Sequence, residues 1–284
     1  MTELLDVQEL HIHFSGARGI SHAVRGVSFQ LARGEKLGIV GESGSGKSQT
    51  ARALLKITAR GGTVSARRLD FAGTDLLAAS ERQMQQIRGR RISMILQDPK
   101  FSLNPLMRVG EQIAETWRLH HPRARGEARQ RSLAMLEAVH IRDPERVYRL
   151  YPHEVSGGMG QRIMIAMMLI TEPELIIADE PTSALDVTVR RQILGILDEL
   201  LQRQGSSLLL ISHDLDLVAG FCDRILVMYA GRVVEQLPAS QLQQARHPYT
   251  RALLASRPSL EYPQELLPVP QRTPEWLLPL EEQP

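Results

Sequence analysis

The octapeptide Gly41–Ser48 reads G-E-S-G-S-G-K-S, residue types that suit the grip of a polyphosphate. Glycines at 41, 44 and 46 let the backbone curl so that successive N–H groups face phosphate oxygens. Lys47 supplies a full charge for the β- and γ-phosphates, and the Ser48 hydroxyl is a suitable Mg²⁺ ligand. Nucleotide contacts are expected along Gly41, Glu42, Ser43, Gly44, Ser45, Gly46, Lys47, Ser48 and Gln49. Downstream, the apolar run Leu175–Ala178 delivers Asp179 where Mg²⁺ would sit beside the phosphates, and Glu180 follows at once, placed to orient or deprotonate an attacking water. Gln97 and His213 each close another apolar run. The first can bridge water and metal, and the second can hydrogen-bond a γ-phosphate.

A second anion site is legible at Val155-Ser156-Gly157-Gly158-Met159, where a serine and two glycines open a helix and Ser156 can cap it. One chain wraps one γ-phosphate with its own loop. A second site on a separate lobe makes sense if it grips nucleotide held by another subunit.

These groups need a scaffold of strands ending beside helix starts. Lys36–Val40 before the glycine turn and Ser48–Leu55 after it read as strand and helix. The first forty residues alternate as strands at Leu10–Phe14 and Ala23–Leu31, with a loop expected at Ser15–Ser21. Further strands are expected at Arg68–Phe71, Ile92–Leu96, Glu174–Ala178 and Ser207–Ile211, with a closing hairpin of Ile225–Tyr229 and Arg232–Glu235 around Ala230-Gly231. Helical spacing covers Val109–Leu119, Glu127–Val139, Gly158–Ile170 and Val187–Arg203. Apolar strands alternating with helices predict an α/β fold whose sheet is mostly parallel and covered on both faces. An antiparallel β-subdomain precedes it, and a helical lobe over about 100–170 is inserted. Beyond Pro258 the proline-rich tail reads as extended or disordered.

The 284 residues suit one such domain with a small lobe. Thirty-four basic against 32 acidic residues argue against a protein that binds nucleic acid by neutralising phosphates. The Arg88–Arg91 and Arg123–Arg131 clusters read as solvated faces. A lone cysteine, Cys222, excludes an intramolecular disulfide or a cysteine-built metal cluster. Met1–Asp6 lacks the basic start of a secretory signal, and the longest apolar run, Ile163–Ile170, is far below the about 20 residues that cross a bilayer. A membrane role is therefore expected to come through a partner.

In motif content, order and spacing, residues 4–255 resemble the ATP-binding cassette family of P-loop NTPases, leaving 256–284 as a tail. The resemblance implies ATP as substrate, Mg²⁺ held by Ser48, Gln97 and Asp179, and Glu180 as catalytic carboxylate. It makes Lys47 the catalytic lysine, Gln97 the Q-loop glutamine and His213 the switch histidine. Ser156, Gly157, Gly158 and Met159 become the signature acting in trans, and Ser183, Ala184, Leu185 and Asp186 the D-loop. Val155, Met159 and Gly160 depart from the common signature, which carries leucine, glutamine and often arginine there. Phe14 is the candidate for stacking on adenine.

Gln97-Asp98-Pro99, Ser102–Pro105, Gly110–Ile113, Pro181–Val189 and His247-Pro248-Tyr249-Thr250 narrow the resemblance to peptide/nickel importers. That implies a peripheral subunit on the cytoplasmic face of the cell (inner) membrane, beneath two transmembrane permease subunits. It would be paired with a second cassette ATPase, or a second copy of this chain, and served by an extracytoplasmic solute-binding protein. Many peptide-importer subunits hold an iron–sulfur cluster on C-terminal cysteines. The absence of cysteine after Cys222 tilts the reading toward nickel or metal-chelate relatives, or a shortened peptide importer, so the expected cargo is peptides or nickel/metal chelates. The rival class, a soluble cassette ATPase working on ribosomes or nucleic acid, usually carries tandem cassettes or coiled-coil insertions, and neither is present.

Overall fold

The computed structural model describes residues 3–16, 19–98, 102–183, 185–256 and 273–277. The chain divides into two compact units, one formed by Met1–Ala78 with Leu210–Pro284 and the other by Ala79–Leu209.

In the first unit, β1 (Glu3–Gly16) and β2 (Gly19–Ala32) form a long antiparallel ladder. Leu10, Ile12, Val24, Val27 and Leu31 are fully buried along it, as expected of alternating strands with one face against a core. The loop expected at Ser15–Ser21 is corrected: Phe14 pairs with Ser21, Ser15 with Ile20 and Gly16 with Gly19, while residues 17–18 lie outside the described residues. β3 (Lys36–Val40) leads to the phosphate loop and to the helix Lys47–Leu54. β4 (Gly62–Ser65) and β5 (Arg68–Phe71) both pair with β1, and β6 (Thr74–Asp75) pairs with β5. At the far end of the chain, β10 (Arg224–Tyr229) lies parallel to β3 and antiparallel to β11 (Arg232–Pro238). Ala230 (φ 46°) and Gly231 (φ 86°) make the turn between them, the pair of left-handed residues a two-residue hairpin requires. The helix Leu215–Phe221 packs on β3 because Gly38 has no side chain; a Cβ there would sit 2.1 Å from Val218 Cγ1.

The second unit holds β7 (Ile92–Ile95) and β8 (Leu175–Asp179), both fully buried and parallel. Around them the chain forms the helices Glu81–Ile87, Val109–His120, Ala128–Ala138, Pro144–Tyr148, Gly157–Leu169 and Val187–Gln204. The G-E-Q-I motif is structural glue. Gly110 leaves room for the Tyr148 ring, which a Cβ would meet at 2.0 Å. Glu111 accepts the Tyr148 hydroxyl at 2.8 Å and pairs with Arg118 at 2.7 Å. The bond to Arg118, then that to Tyr148, holds the Glu111 carboxyl below its ordinary value. The Gln112 amide bridges to the carbonyls of Asn104 and Met107, and its oxygen accepts the Asn104 N–H. β9 (Ser207–Ser212), buried throughout, is the strand in which the chain leaves this unit.

The tail corrects a second expectation. Residues 257–272 and 278–284 lie outside the described residues, but Pro274–Leu277 forms a 3₁₀ turn and Trp276 is buried. An indole has too much apolar surface to leave in water when two tyrosine rings are within reach.

Candidate nucleotide site

The β3–β10 register sets the phosphate loop. Val40 pairs with Val227, so the chain meets the glycine turn beside Met228, and a Cβ on Gly41 would lie 2.1 Å from the Met228 carbonyl oxygen. Gly46, at φ 101°, backs onto the Ala23 carbonyl, where a Cβ would lie 2.5 Å away. Gly44 has open space around it but a φ of 83°, so its requirement is conformational. The Gly231 N–H donates to the Ser45 carbonyl at 3.0 Å, joining the loop to the hairpin turn.

Lys47 is buried. Its ammonium donates to the carbonyl oxygens of Gly41 (2.7 Å) and Glu42 (2.8 Å) and to Ser45 Oγ (3.4 Å). A buried charge is tolerated because it is hydrogen-bonded by the loop it serves. Gly46 caps the following helix without a side chain, which leaves the loop to the backbone N–H groups of an anion site. Glu42, Ser48 and Gln49 are half-buried, and Ser43 is exposed.

Phe14 and His213 also belong to this unit. Phe14 is half-buried with its ring against Gly62, its cross-strand partner, where a Cβ would lie 2.7 Å from Phe14 Cε1. His213 is exposed at the end of β9, and Asp214 beyond it caps the next helix by accepting the Leu217 N–H.

In the other unit, the parallel register of β7 and β8 pairs Ile95 with Ala178. Asp179 is buried, Glu180 half-buried and Gln97 exposed. Glu180 has φ 53°, a left-handed conformation costly for a residue with a Cβ. A turn follows in which Ser183 Oγ donates to the Glu180 carbonyl at 3.2 Å.

Ser156 caps the helix Gly157–Leu169, its Oγ accepting the Met159 N–H at 3.3 Å. One turn on, Gln161 donates its amide to the Pro181 carbonyl, tying this helix to the segment after Glu180. Gln97, Ser156, Gly157 and Leu185 line one pocket of about 230 Å³. Asp186 caps the helix Val187–Gln204, accepting the N–H groups of Thr188 and Val189 at 3.0 Å each. Ala184 lies outside the described residues.

Ser156, Gly158 and Met159 also open onto a groove of about 510 Å³ that holds Arg142, Arg146 and Arg162. Sequence reading missed these arginines. They are spread over a loop, the short helix Pro144–Tyr148 and the helix Gly157–Leu169, and the fold gathers them.

The ABC transporter family model matches residues 24–183. A probable peptide ABC transporter ATP-binding protein of Sinorhizobium fredii is 52% identical over 262 residues, covering 90% of this chain and 77% of that protein. The chain belongs to the ABC transporter family. Among its other relatives are the oligopeptide transport ATP-binding protein of Salmonella typhimurium, 47% identical over 96% of this chain and 82% of its own length, and the dipeptide transport ATP-binding protein of Haemophilus influenzae, 48% identical over 90% and 78%. Its fold matches the ATP-binding cassette MJ0796, solved with ADP and Pi in a post-hydrolysis state, with a TM-score of 0.72 and 26% identity over 83% of this chain and 99% of that one. The ABC cassette fold is thus established, with its parallel strands, antiparallel N-terminal ladder and helical portion.

Proposed function

We propose that this chain is the ATP-hydrolysing subunit of an importer that takes up peptides across the cytoplasmic membrane. The observation that carries this reading is its similarity, over nearly its whole length, to ATP-binding proteins of peptide, oligopeptide and dipeptide transport. Those names favour peptides over the nickel or metal-chelate cargo toward which the cysteine count leaned. Among the described residues no helix is long and apolar enough to cross a membrane. The subunit therefore reaches the membrane through two permease subunits, at the cytoplasmic face, with an extracytoplasmic solute-binding protein supplying cargo.

The loop suits a triphosphate. Three glycines at positive φ turn the backbone, and a buried lysine is already held among the loop oxygens. Ser48, Gln97 and Asp179 offer hard oxygen donors, the set that Mg²⁺ prefers. Held by these residues, Mg²⁺ would supply positive charge to offset that of the phosphates.

Lys47 holds those phosphates against the loop amides, and Glu180 orients water in line with the γ-phosphorus and takes its proton. His213 donates to the γ-phosphate as charge moves onto the leaving oxygen. Ser156 and Gly158 grip the γ-phosphate bound by the other cassette of the pair, so closure of the dimer needs ATP and hydrolysis releases it. Phe14 stacks on adenine, and Ser183–Asp186 line the dimer contact.

Glu180→Gln, tagged and purified from detergent-solubilised membranes in the presence of ATP, tests this reading. Recovery of a closed ATP-bound cassette pair with two multi-spanning proteins is expected. Ordinary ATP turnover by the variant, or its recovery with ribosomes from the soluble fraction, would overturn the reading.

A further inference from the structure

The His-Pro-Tyr-Thr motif and the buried Trp276 have no part in the chemistry above, yet they converge on the phosphate loop. The Glu42 N–H donates to the Tyr249 hydroxyl at 3.0 Å, across 207 positions of sequence. The carbonyl of the same residue accepts the Lys47 ammonium at 2.8 Å. Both backbone polar groups of Glu42 are thus held, one by Lys47 and one by a tyrosine outside the loop.

Tyr249 is itself fixed on every side. It is 1% exposed, and its N–H donates to His247 Nδ1 at 3.1 Å. His247, wholly buried, is anchored in turn: Glu235 Oε1 accepts the N–H groups of Arg246 at 2.7 Å and His247 at 3.3 Å. The Tyr249 ring lies 4.5 Å from Tyr229 and 5.4 Å from Trp276, centroid to centroid. Trp276 meets Tyr229 edge-on at 5.5 Å and closes a three-ring cluster. Aromatic contacts at these separations are worth more than their buried area alone.

We infer that Tyr249 is a positioning residue for the phosphate loop, and that Trp276 of the C-terminal segment is the latch that keeps it in place. The segment so tunes nucleotide affinity from outside the site. The physical route is short. Loop amides bind phosphate well only when they already point inward. Tyr249 fixes the peptide at which the loop begins its turn, and Trp276 removes the room in which that ring could swing away. The inference rests on the reading of Gly41–Ser48 as the ATP site.

The test uses the full chain and measures binding of trinitrophenyl-ATP and steady-state ATP hydrolysis. Tyr249→Phe keeps the ring and removes the hydroxyl; Trp276→Ala removes the latch; Trp276→Phe retains an aromatic ring. A lost hydrogen bond of ordinary strength predicts nucleotide affinity about 3- to 10-fold weaker in Tyr249→Phe and Trp276→Ala. KM should rise accordingly, kcat should change by less than about twofold, and Trp276→Phe should restore most of the loss. The chain has two tryptophans, so subtracting the Trp276→Phe emission spectrum from that of the parent isolates Trp276, whose signal should shift when ADP saturates the site.

Binding within about twofold of the parent in both Tyr249→Phe and Trp276→Ala would overturn the inference while leaving the ATPase reading intact. So would a Trp276 emission indifferent to nucleotide. A loss in Tyr249→Phe alone would remove Trp276 from the assignment. Failure of the parent chain to bind nucleotide at all would bring down the ATPase reading itself.

Discussion

Lys47 donates from Nζ to the carbonyl oxygen of Gly41 at 2.7 Å, so the lysine at the end of the loop holds its beginning. On the proposed reading the side chain has two tasks, binding phosphate and shaping the turn that receives it. Lys47→Ala should therefore lower turnover by about a hundredfold or more and also lower the melting temperature of the nucleotide-free protein. Phosphate release and scanning calorimetry measure the two effects. A variant inactive but as stable as the parent would show that the carbonyl contacts contribute nothing to the fold.

Glu180 is held at φ 53° immediately after β8. Relief of that strain by Glu180→Gly should stabilise the protein by about 1 kcal/mol while abolishing hydrolysis. Urea midpoints for the variant and for Glu180→Gln separate the backbone effect from loss of the carboxylate. Equal midpoints would contradict the strain.

Asp186 caps an 18-residue helix. Asp186→Ala should cost about 1 kcal/mol and Asp186→Asn much less, because the amide oxygen can still accept from Thr188 and Val189. Amide exchange in the first turn of Val187–Gln204 reads this directly. If alanine and asparagine behave alike, the residue matters for something other than its cap.

Burial, reinforced by Asp223, pushes the Cys222 thiol up from 9.0 to about 12. A raised acid pKa favours the protonated form in the folded state, so this contribution to stability is present below pH 9 and is lost as pH climbs toward 12. At pH 8 the folded protein should react with a thiolate-seeking reagent about a thousandfold more slowly than the unfolded chain. Titration with an aromatic disulfide, with and without denaturant, measures the ratio. Rapid labelling of the folded protein would mean the thiol is open to solvent.

How far the sequence speaks depends on the range of the interaction. The strands around Gly41, the capped start at Ser156 and the hairpin at Ala230-Gly231 are local patterns, and the structure has them. The helix Glu81–Ile87 was local too: Ser80 and Gln83 form a capping box whose spacing can be read directly, but its seven residues are too few for a periodic signal. Asp143 and Asp214 announce two more short helices by the same chemistry. Tyr249 on Glu42 and Trp276 on its tyrosines are another matter. Each joins segments far apart in the chain, and no spacing rule reaches across a fold.

The strand that feeds the phosphate loop pairs, residue by residue, with a strand made almost two hundred positions later: Leu37 with Arg224, Val40 with Val227. On the ribosome the octapeptide emerges early and waits. Its carbonyl wall at Met228 and its hydrogen bond from Gly231 exist only after the whole second unit has been synthesised. Competence for nucleotide is therefore among the last properties the growing chain acquires. A product cut short before Arg224 carries the full motif but lacks both the strand and the turn that shape it.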